Sequence, residues 1–394
     1  MNKDILNTVS QIFINENINS DPTSLLFRKN PDTPVDIKLL VEQIEAKNRS
    51  EKKLPSWFNS QNIYYSNKLN IEQTSSEITA QFKSELISGT SIFDLTGGFG
   101  VDSLYFSKGF KKVIHCEINE DLSSIAKHNF EQLKSNNIKC LAVDGLNHLK
   151  TNDEHFDWIY IDPSRRHDKK GKVFFLRDCL PNVPDHLNLL FNHSKNILIK
   201  TSPLLDISAG IQELQHVKSI HVVAVKNEVK ELLWILEKDY NGKIIVNTSN
   251  IKGDSTEQFE FSPNEESLIE INYSDPLTYL YEPNAAILKS GAFKSISKQL
   301  NVFKLHPNTH LYTHNELIDF PGRRFKIEKL LPYNKKLLKK ELMYMKANIS
   351  TRNFPESVDQ IKRKLHIKDG GNDFLFFTTS IIKNKVIIMC SKAD

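Results

Sequence analysis

Cysteine is scarce in this chain. The four present, Cys116, Cys140, Cys179 and Cys390, form no CxxC pair. That excludes a disulfide framework and a cysteine zinc site, and the histidines form no cluster at ligand spacing, so no metal is expected. Long apolar runs are also missing. No stretch approaches the roughly 18 apolar residues of a membrane helix, so no membrane partner is expected. The opening residues, Met1-Asn-Lys-Asp-Ile-Leu-Asn7, lack the apolar core and cleavage site of a secretion signal. Reduced thiols without a leader point to the cytoplasm. Neither an internal repeat nor a low-complexity tract is visible, and the length suits two or three domains.

Net charge is small at +4, but it is unevenly spread. Eight acids against Lys252 alone lie between Thr248 and Ala285, which reads as a polar connector. Thirteen Lys and Arg against four acids follow between Ala286 and Lys346. A basic module suits either a polyanionic partner or a solvated lysine-rich face.

What the chain does have is Ile92-Phe-Asp-Leu-Thr-Gly-Gly-Phe-Gly100, an apolar strand ending in Asp94 and a glycine turn, with a helical pattern from Val101. Strand, glycine turn and helix open a nucleotide-type site in an α/β sheet, or simply make a tight connection. Asp94 next to the glycines would repel a pyrophosphate and attract an ammonium group. Ser103 also stands where the dinucleotide fingerprint has its third glycine. Both features favour S-adenosylmethionine over NAD.

Residues 1–88 read as a helical region, with segments at Ile5–Asn15, Pro22–Arg28 and Val35–Ala46. Trp57, Phe58, Tyr64 and Tyr65 read as helix-packing residues rather than base-stacking platforms. Thr74-Ser-Ser-Glu77 fits a capping box for a helix with Ile78, Phe82 and Leu86 on one face. Strands and helices then alternate over residues 89–250, implying a parallel sheet. Its strands are Ser91–Leu95, Lys112–Glu117, Ile138–Val143, Phe156–Ile161, Asn196–Lys200 and Ile220–Val225. Asn241-Gly242 predicts a hairpin between Glu231–Glu237 and Lys243–Asn247. Residues 251–320 read as connector and small unit, with a helix over Tyr281–Leu300. Residues 321–394 form a further α+β region with a helix at Val358–Leu365.

Three carboxylates end successive strands: Asp94, then Glu117, then Asp144 before Gly145. An acid at the second strand end can accept both ribose hydroxyls, and one at the third can receive an adenine amine. Each alone is an ordinary strand-end turn acid. The fourth strand ends in Asp162-Pro163-Ser164-Arg165-Arg166. Asp162 can hold or deprotonate an acceptor, and Pro163 fixes the turn. The arginines can take phosphates or stack on a base, or else pair with nearby acids.

Residues 91–240 resemble a class I S-adenosylmethionine-dependent methyltransferase, in the order and spacing of Asp94-Leu-Thr-Gly-Gly-Phe-Gly100, Glu117, Asp144-Gly145 and Asp162-Pro163. The resemblance implies a Rossmann-like seven-stranded sheet with its last strand antiparallel. It implies a cofactor site at Asp94, Thr96, Gly98, Gly100, Glu117, Asp144 and Gly145. Asp162 and Pro163 would be catalytic, with Ser164, Arg165 and Arg166 on the substrate. The whole chain is similar to a bacterial group carrying a THUMP-like C-terminal domain. The residues that carry this are Glu72-Gln-Thr-Ser-Ser76, Asp162-Pro-Ser-Arg-Arg166, Tyr281-Glu-Pro-Asn284, Phe320-Pro-Gly-Arg323 and Thr351-Arg-Asn-Phe-Pro355. The C-terminal region is thus expected to be ferredoxin-like and THUMP-like, and RNA is the expected substrate and partner. A small-molecule or protein methyltransferase, or a silent RNA binder that keeps the cofactor site, are the alternatives. Thr96 departs from the family's first loop glycine. Lys200-Thr-Ser-Pro203 carries no cysteine where uracil-C5 enzymes have their nucleophile, which disfavours C5 pyrimidine chemistry.

Overall fold

The computed structural model describes residues 1–27, 33–165, 175–381 and 384–393, with the backbone alone at Arg165. The chain divides into two compact units, residues 1–217 with 233–241, and residues 218–232 with 242–394.

In the first unit, helices α1 (Thr8–Glu16) and α2 (Ile37–Lys53) are capped by Asn7 and Asp36. Leu40, Val41 and Ile44 of α2 face a core shared with Trp57, Tyr64 and Tyr65. Phe99 of the glycine loop joins that core, its ring 6.3 Å from Trp57. Trp57, Tyr64 and Tyr65 are therefore packing residues, while Phe58 is half-buried and outside this core. Helix α3 (Glu77–Leu86) departs from expectation. Its N-cap is Ser76, and its buried face is Glu77, Thr79, Ala80 and Lys83 while Ile78 is exposed. Burial there follows hydrogen bonding rather than hydropathy: Glu77 accepts from Ser56 N–H (2.6 Å) and from Tyr105 Oη (2.8 Å).

Strands β1 (Ser91–Asp94), β2 (Lys112–Cys116), β3 (Ile138–Leu141), β4 (Phe156–Ile161) and β5 (Ser194–Thr201) pair in parallel. Between them run α4 (Val101–Phe106), α5 (Glu120–Gln132), α6 (Gly145–Lys150) and α7 (Val183–His193). Strands β6 (Val217–Val225) and β7 (Glu228–Glu237) follow, and β8 (Ile245–Lys252) and β9 (Ser255–Phe261) extend the sheet. The order is β9-β8-β6-β7-β5-β4-β1-β2-β3.

The expected seven strands are thus present, with two more. The hairpin is elsewhere, however. Lys226 and Asn227 turn β6 into β7, both at positive φ, so β7 is the antiparallel strand. The strand after Asn241-Gly242 instead pairs in parallel with β6. A loop of favourable turn composition thus connects strands that are not paired with each other. Residues 245–261, expected partly as a connector, are strands of this sheet.

The second unit holds a seven-stranded sheet of β10 (Tyr279–Pro283), β11 (Phe303–His306), β12 (Thr309–His314), β13 (Gly322–Pro332), β14 (Lys346–Arg352), β15 (Lys368–Thr379) and β16 (Lys385–Lys392). Its order is β11-β12-β10-β13-β16-β15-β14. The helix expected over Tyr281–Leu300 is broken. Pro283 closes β10, and Gly291 at φ +82° ends the short helix Ala285–Ser290. The expected helix at Val358–Leu365 is present, with a full capping box from Ser357 and Gln360.

Candidate functional site

Register brings the strand-end acids to one edge of the first unit's sheet. Asp94 stands opposite His115 on β2, and Cys116 stands opposite Leu141 on β3. Glu117 and Asp144 follow directly, so all three acids lie at the carboxyl ends of adjacent parallel strands, where open α/β sheets bind ligands.

The glycine loop is pinned on its inner side. A Cβ on Gly97 would lie 2.3 Å from the His115 ring, and one on Gly100 would lie 2.4 Å from Phe130. Gly98 differs: at φ +55°, the nearest atom to an added Cβ is 3.9 Å away. Its N–H donates to Glu117 Oε2 at 3.0 Å, and Glu117 Oε1 accepts from Asn119 N–H at 2.8 Å. The loop therefore offers an open outer face beside an oriented carboxylate. Gly145 packs under the same edge, since a Cβ there would meet Leu95 at 2.9 Å. Asp144 caps α6, accepting from Asn147 N–H at 3.1 Å.

Asp94 sits beneath the loop, 1% exposed, accepting from Ser103 Oγ (2.6 Å) and Thr96 N–H (3.2 Å). Burial pushes its carboxyl up to about 8, against the pull of those hydrogen bonds. The Ser103 that breaks the dinucleotide fingerprint is the group that holds Asp94. His115 is buried as well, and burial lowers its imidazole to about 4.

Thr96 has a role that a glycine could not fill. Its Oγ1 accepts from the Asp162 N–H at 2.7 Å, tying the loop to the end of β4. The Asp162 carboxylate meets Lys200 Nζ of β5 at 2.5 Å. Pro163 is buried behind it, and Ser164 Oγ donates to the Leu180 carbonyl at 3.3 Å. Arg166 lies outside the described residues, and for Arg165 only the backbone, paired with Cys179, is described.

A further group escaped sequence reading. Asp102, two residues after the loop, accepts from Ser75 Oγ and Tyr160 Oη, both at 2.8 Å, and pairs with the wholly buried Lys83 at 3.2 Å. Burial would raise its carboxyl, but Lys83 and Lys200 outweigh that and hold it below the usual range. Ser75 came from a motif that carried the resemblance. Lys83 gave no sequence signal, because a lysine on an amphipathic helix reads as solvated.

Comparison with known proteins matches these features. A ferredoxin-like domain family matches residues 279–321, and a THUMP domain-like family matches residues 322–392. A solved structure from Porphyromonas gingivalis W83, described as a candidate methyltransferase, is 33% identical, covers 98% of this chain and 97% of that one, and superposes with a TM-score of 0.89. An uncharacterised RNA methyltransferase of Mycoplasma mobile is 34% identical over 76 residues, which are 19% of this chain and 21% of that protein. The chain thus spans about a fifth of that relative's length. No described helix is long and apolar enough to cross a membrane. With a third of its residues identical across nearly all of both chains, the protein belongs to the group of class I methyltransferases that carry a THUMP-like C-terminal domain.

Proposed function

We propose that the protein uses S-adenosylmethionine to methylate RNA in the cytoplasm. The observation that carries the cofactor reading is the bond between Gly98 N–H and Glu117, which orients a carboxylate beside the open face of the glycine loop. Glu117 would hold the ribose hydroxyls, Asp144 the adenine amine, and the Gly98–Gly100 backbone the amino-acid end. Asp94 would supply negative potential from beneath. When bound, the cofactor supplies an electrophilic methyl group on a sulfonium.

The chain's own part is to hold the acceptor. Asp162, tethered through its N–H to Thr96 and through its carboxylate to Lys200, is oriented to hold an acceptor N–H or O–H and take its proton. Lys200 keeps that carboxylate aimed. No cysteine stands in this pair, which argues against covalent addition to a pyrimidine. The THUMP-like match and the name of the Mycoplasma mobile relative support RNA as the acceptor class.

The test is incubation of the purified protein with methyl-labelled S-adenosylmethionine and tRNA, rRNA or a metabolite extract. Label in one RNA pool is expected, with a single nucleoside carrying it on mass spectrometry. Label confined to the metabolites would overturn the RNA reading.

A further inference from the structure

The second unit contains a cavity of about 400 Å³ lined by Lys226, Lys252 and Arg323 together with Asn227, Gly253, Asn284 and Gly322. Three cations and no carboxylate line it. Two acids stand behind the lining. Glu282, 5% exposed at its side chain, accepts from Arg323 Nε at 2.6 Å and also pairs with Arg352 Nη2 at 2.6 Å. One carboxylate shared by two guanidiniums leaves a positive charge over. Glu257 pairs with Lys252 at 2.5 Å and takes the amides of Asn250 and Asn284.

These contacts fix the donors and leave several unspent. Arg323 turns Nε and Nη2 to Glu282 and lies over the rings of Phe325 and Phe376, at 5.3 and 6.0 Å. Its Nη1 group has no protein partner among the described residues. Asn227 Oδ1 accepts from Ala285 N–H at 2.8 Å, so its amide nitrogen is the atom left over. Lys226 makes no ion pair among the described residues. Such a lining offers donors to a ligand that only accepts.

Backbone geometry fixes where these groups stand. Lys226 (φ +51°) and Asn227 (φ +65°) form the hairpin turn, a conformation that Asn-Gly adopts more easily. A lysine in left-handed backbone costs roughly 1 kcal/mol or more, and the pairing of the flanking strands holds it there. Gly322 is the other enforced position: a Cβ there would lie 2.1 Å from the Glu282 carbonyl oxygen. That close approach sets Arg323 beside its carboxylate. Three motifs that carried the family resemblance, around Glu282, Arg323 and Arg352, thus converge here without being part of the cofactor site.

We propose that this cavity is a phosphate-binding site, in which Lys226, Arg323 and the Asn227 amide grip the oxygens of one phosphate and Lys252 adds charge. The pocket itself is independent of the methyl-transfer reading; only the choice of RNA as the source of the phosphate rests on it. Both a backbone phosphodiester and a free nucleotide carry the required chemistry.

The test is lysine acetylation of the full-length protein, read by mass spectrometry with and without inorganic phosphate. At ten times its Kd, phosphate is expected to slow acetylation of Lys226 about tenfold relative to exposed Lys3 and Lys38. Lys226→Asn relaxes the turn, so its melting temperature should equal or exceed the parent's. In that variant, phosphate should no longer protect Lys252. Equal acetylation of Lys226 with and without phosphate, or full protection of Lys252 in the variant, would sink the proposal.

Two further arms identify the source. For an RNA phosphodiester, Lys226→Asn lowers the slope of log Kd against log salt for a single-stranded oligoribonucleotide by about 0.7. For a free nucleotide, a nucleoside monophosphate protects Lys226 and the slope is unchanged. Either outcome sustains the site. Failure of the RNA reading would show separately, as absence of label in RNA.

Discussion

Glu117 accepts from two backbone donors, Gly98 N–H and Asn119 N–H, and under the proposed function its charge would also hold the cofactor's ribose. Glu117→Gln keeps the shape but removes the anion. We expect S-adenosylmethionine and its demethylated product to bind about ten- to a hundredfold more weakly by calorimetry, the worth of one or two charge-assisted hydrogen bonds. An unchanged Kd would remove Glu117 from the site. Asp94 makes a different prediction. Its buried carboxyl titrates near 8, so at neutral pH it holds a proton. A cation bound above the loop favours the ionised form, and binding should therefore release a proton. Affinity should rise between pH 6 and pH 8, and the calorimetric enthalpy at pH 7 should depend on the buffer's ionisation enthalpy. Asp94→Asn should abolish both effects.

At the scale of elements, two glycines are set by what their neighbours occupy. Gly100→Ala places a methyl against the Phe130 ring in a backbone at φ +89°. Gly322→Ala drives one into the Glu282 carbonyl oxygen, between paired strands β10 and β13. A ring can tilt but a ladder carbonyl cannot, so the second change should cost more. We expect losses of roughly 1–3 kcal/mol for Gly100→Ala and more than about 3 kcal/mol for Gly322→Ala, by denaturant unfolding. Gly109→Ala is the control, since an added Cβ there meets nothing within 4 Å. It should stay within about 0.5 kcal/mol of the parent. The hairpin belongs to this scale too. Asn241-Gly242 was the better turn by composition, yet Lys226-Asn227 makes the reversal, because β8 found its partner in β6.

For the molecule as a whole, buried titratable groups set the pH range of stability. Burial lowers His115, His221 and His310 to about 4, with Lys304 and Arg352 adding to the effect at His310. An unfolded histidine binds its proton near 6.5. These three groups therefore favour the folded state above pH 6.5, and that contribution is lost as pH falls from 6.5 toward 4. Asp94 acts oppositely. The folded protein keeps a proton that the unfolded chain gives up near 4, so its contribution falls as pH rises from about 4 to about 8. Below 6.5 the three histidines outweigh the one aspartate. Above it Asp94 dominates up to about pH 8, where Lys304, lowered to about 8 by burial, begins to act the other way. Denaturation midpoints should be highest near pH 6.5, drop clearly at pH 5 and decline gently toward pH 8. His115 lies in one unit and His221 and His310 in the other, so the acid loss draws on both.

The sequence by itself determined the alternating strands of the first sheet, the loop from Asp94 to Gly100, and the acids at three successive strand ends. These are local patterns: a period, a turn chemistry and a spacing along one chain. It also carried the motifs around Glu282, Arg323 and Arg352, but not their meeting. Only the tertiary structure decided that Thr96 grips Asp162, that Lys200 faces it, that Ser103 holds Asp94, and that Lys83 is buried against Asp102. All but the Ser103–Asp94 bond join residues well apart along the chain, and each acts through a side chain whose hydropathy gives no hint of its partner. Strand order decides which charges become neighbours, and strand order is settled by pairing between whole segments rather than by any residue within one.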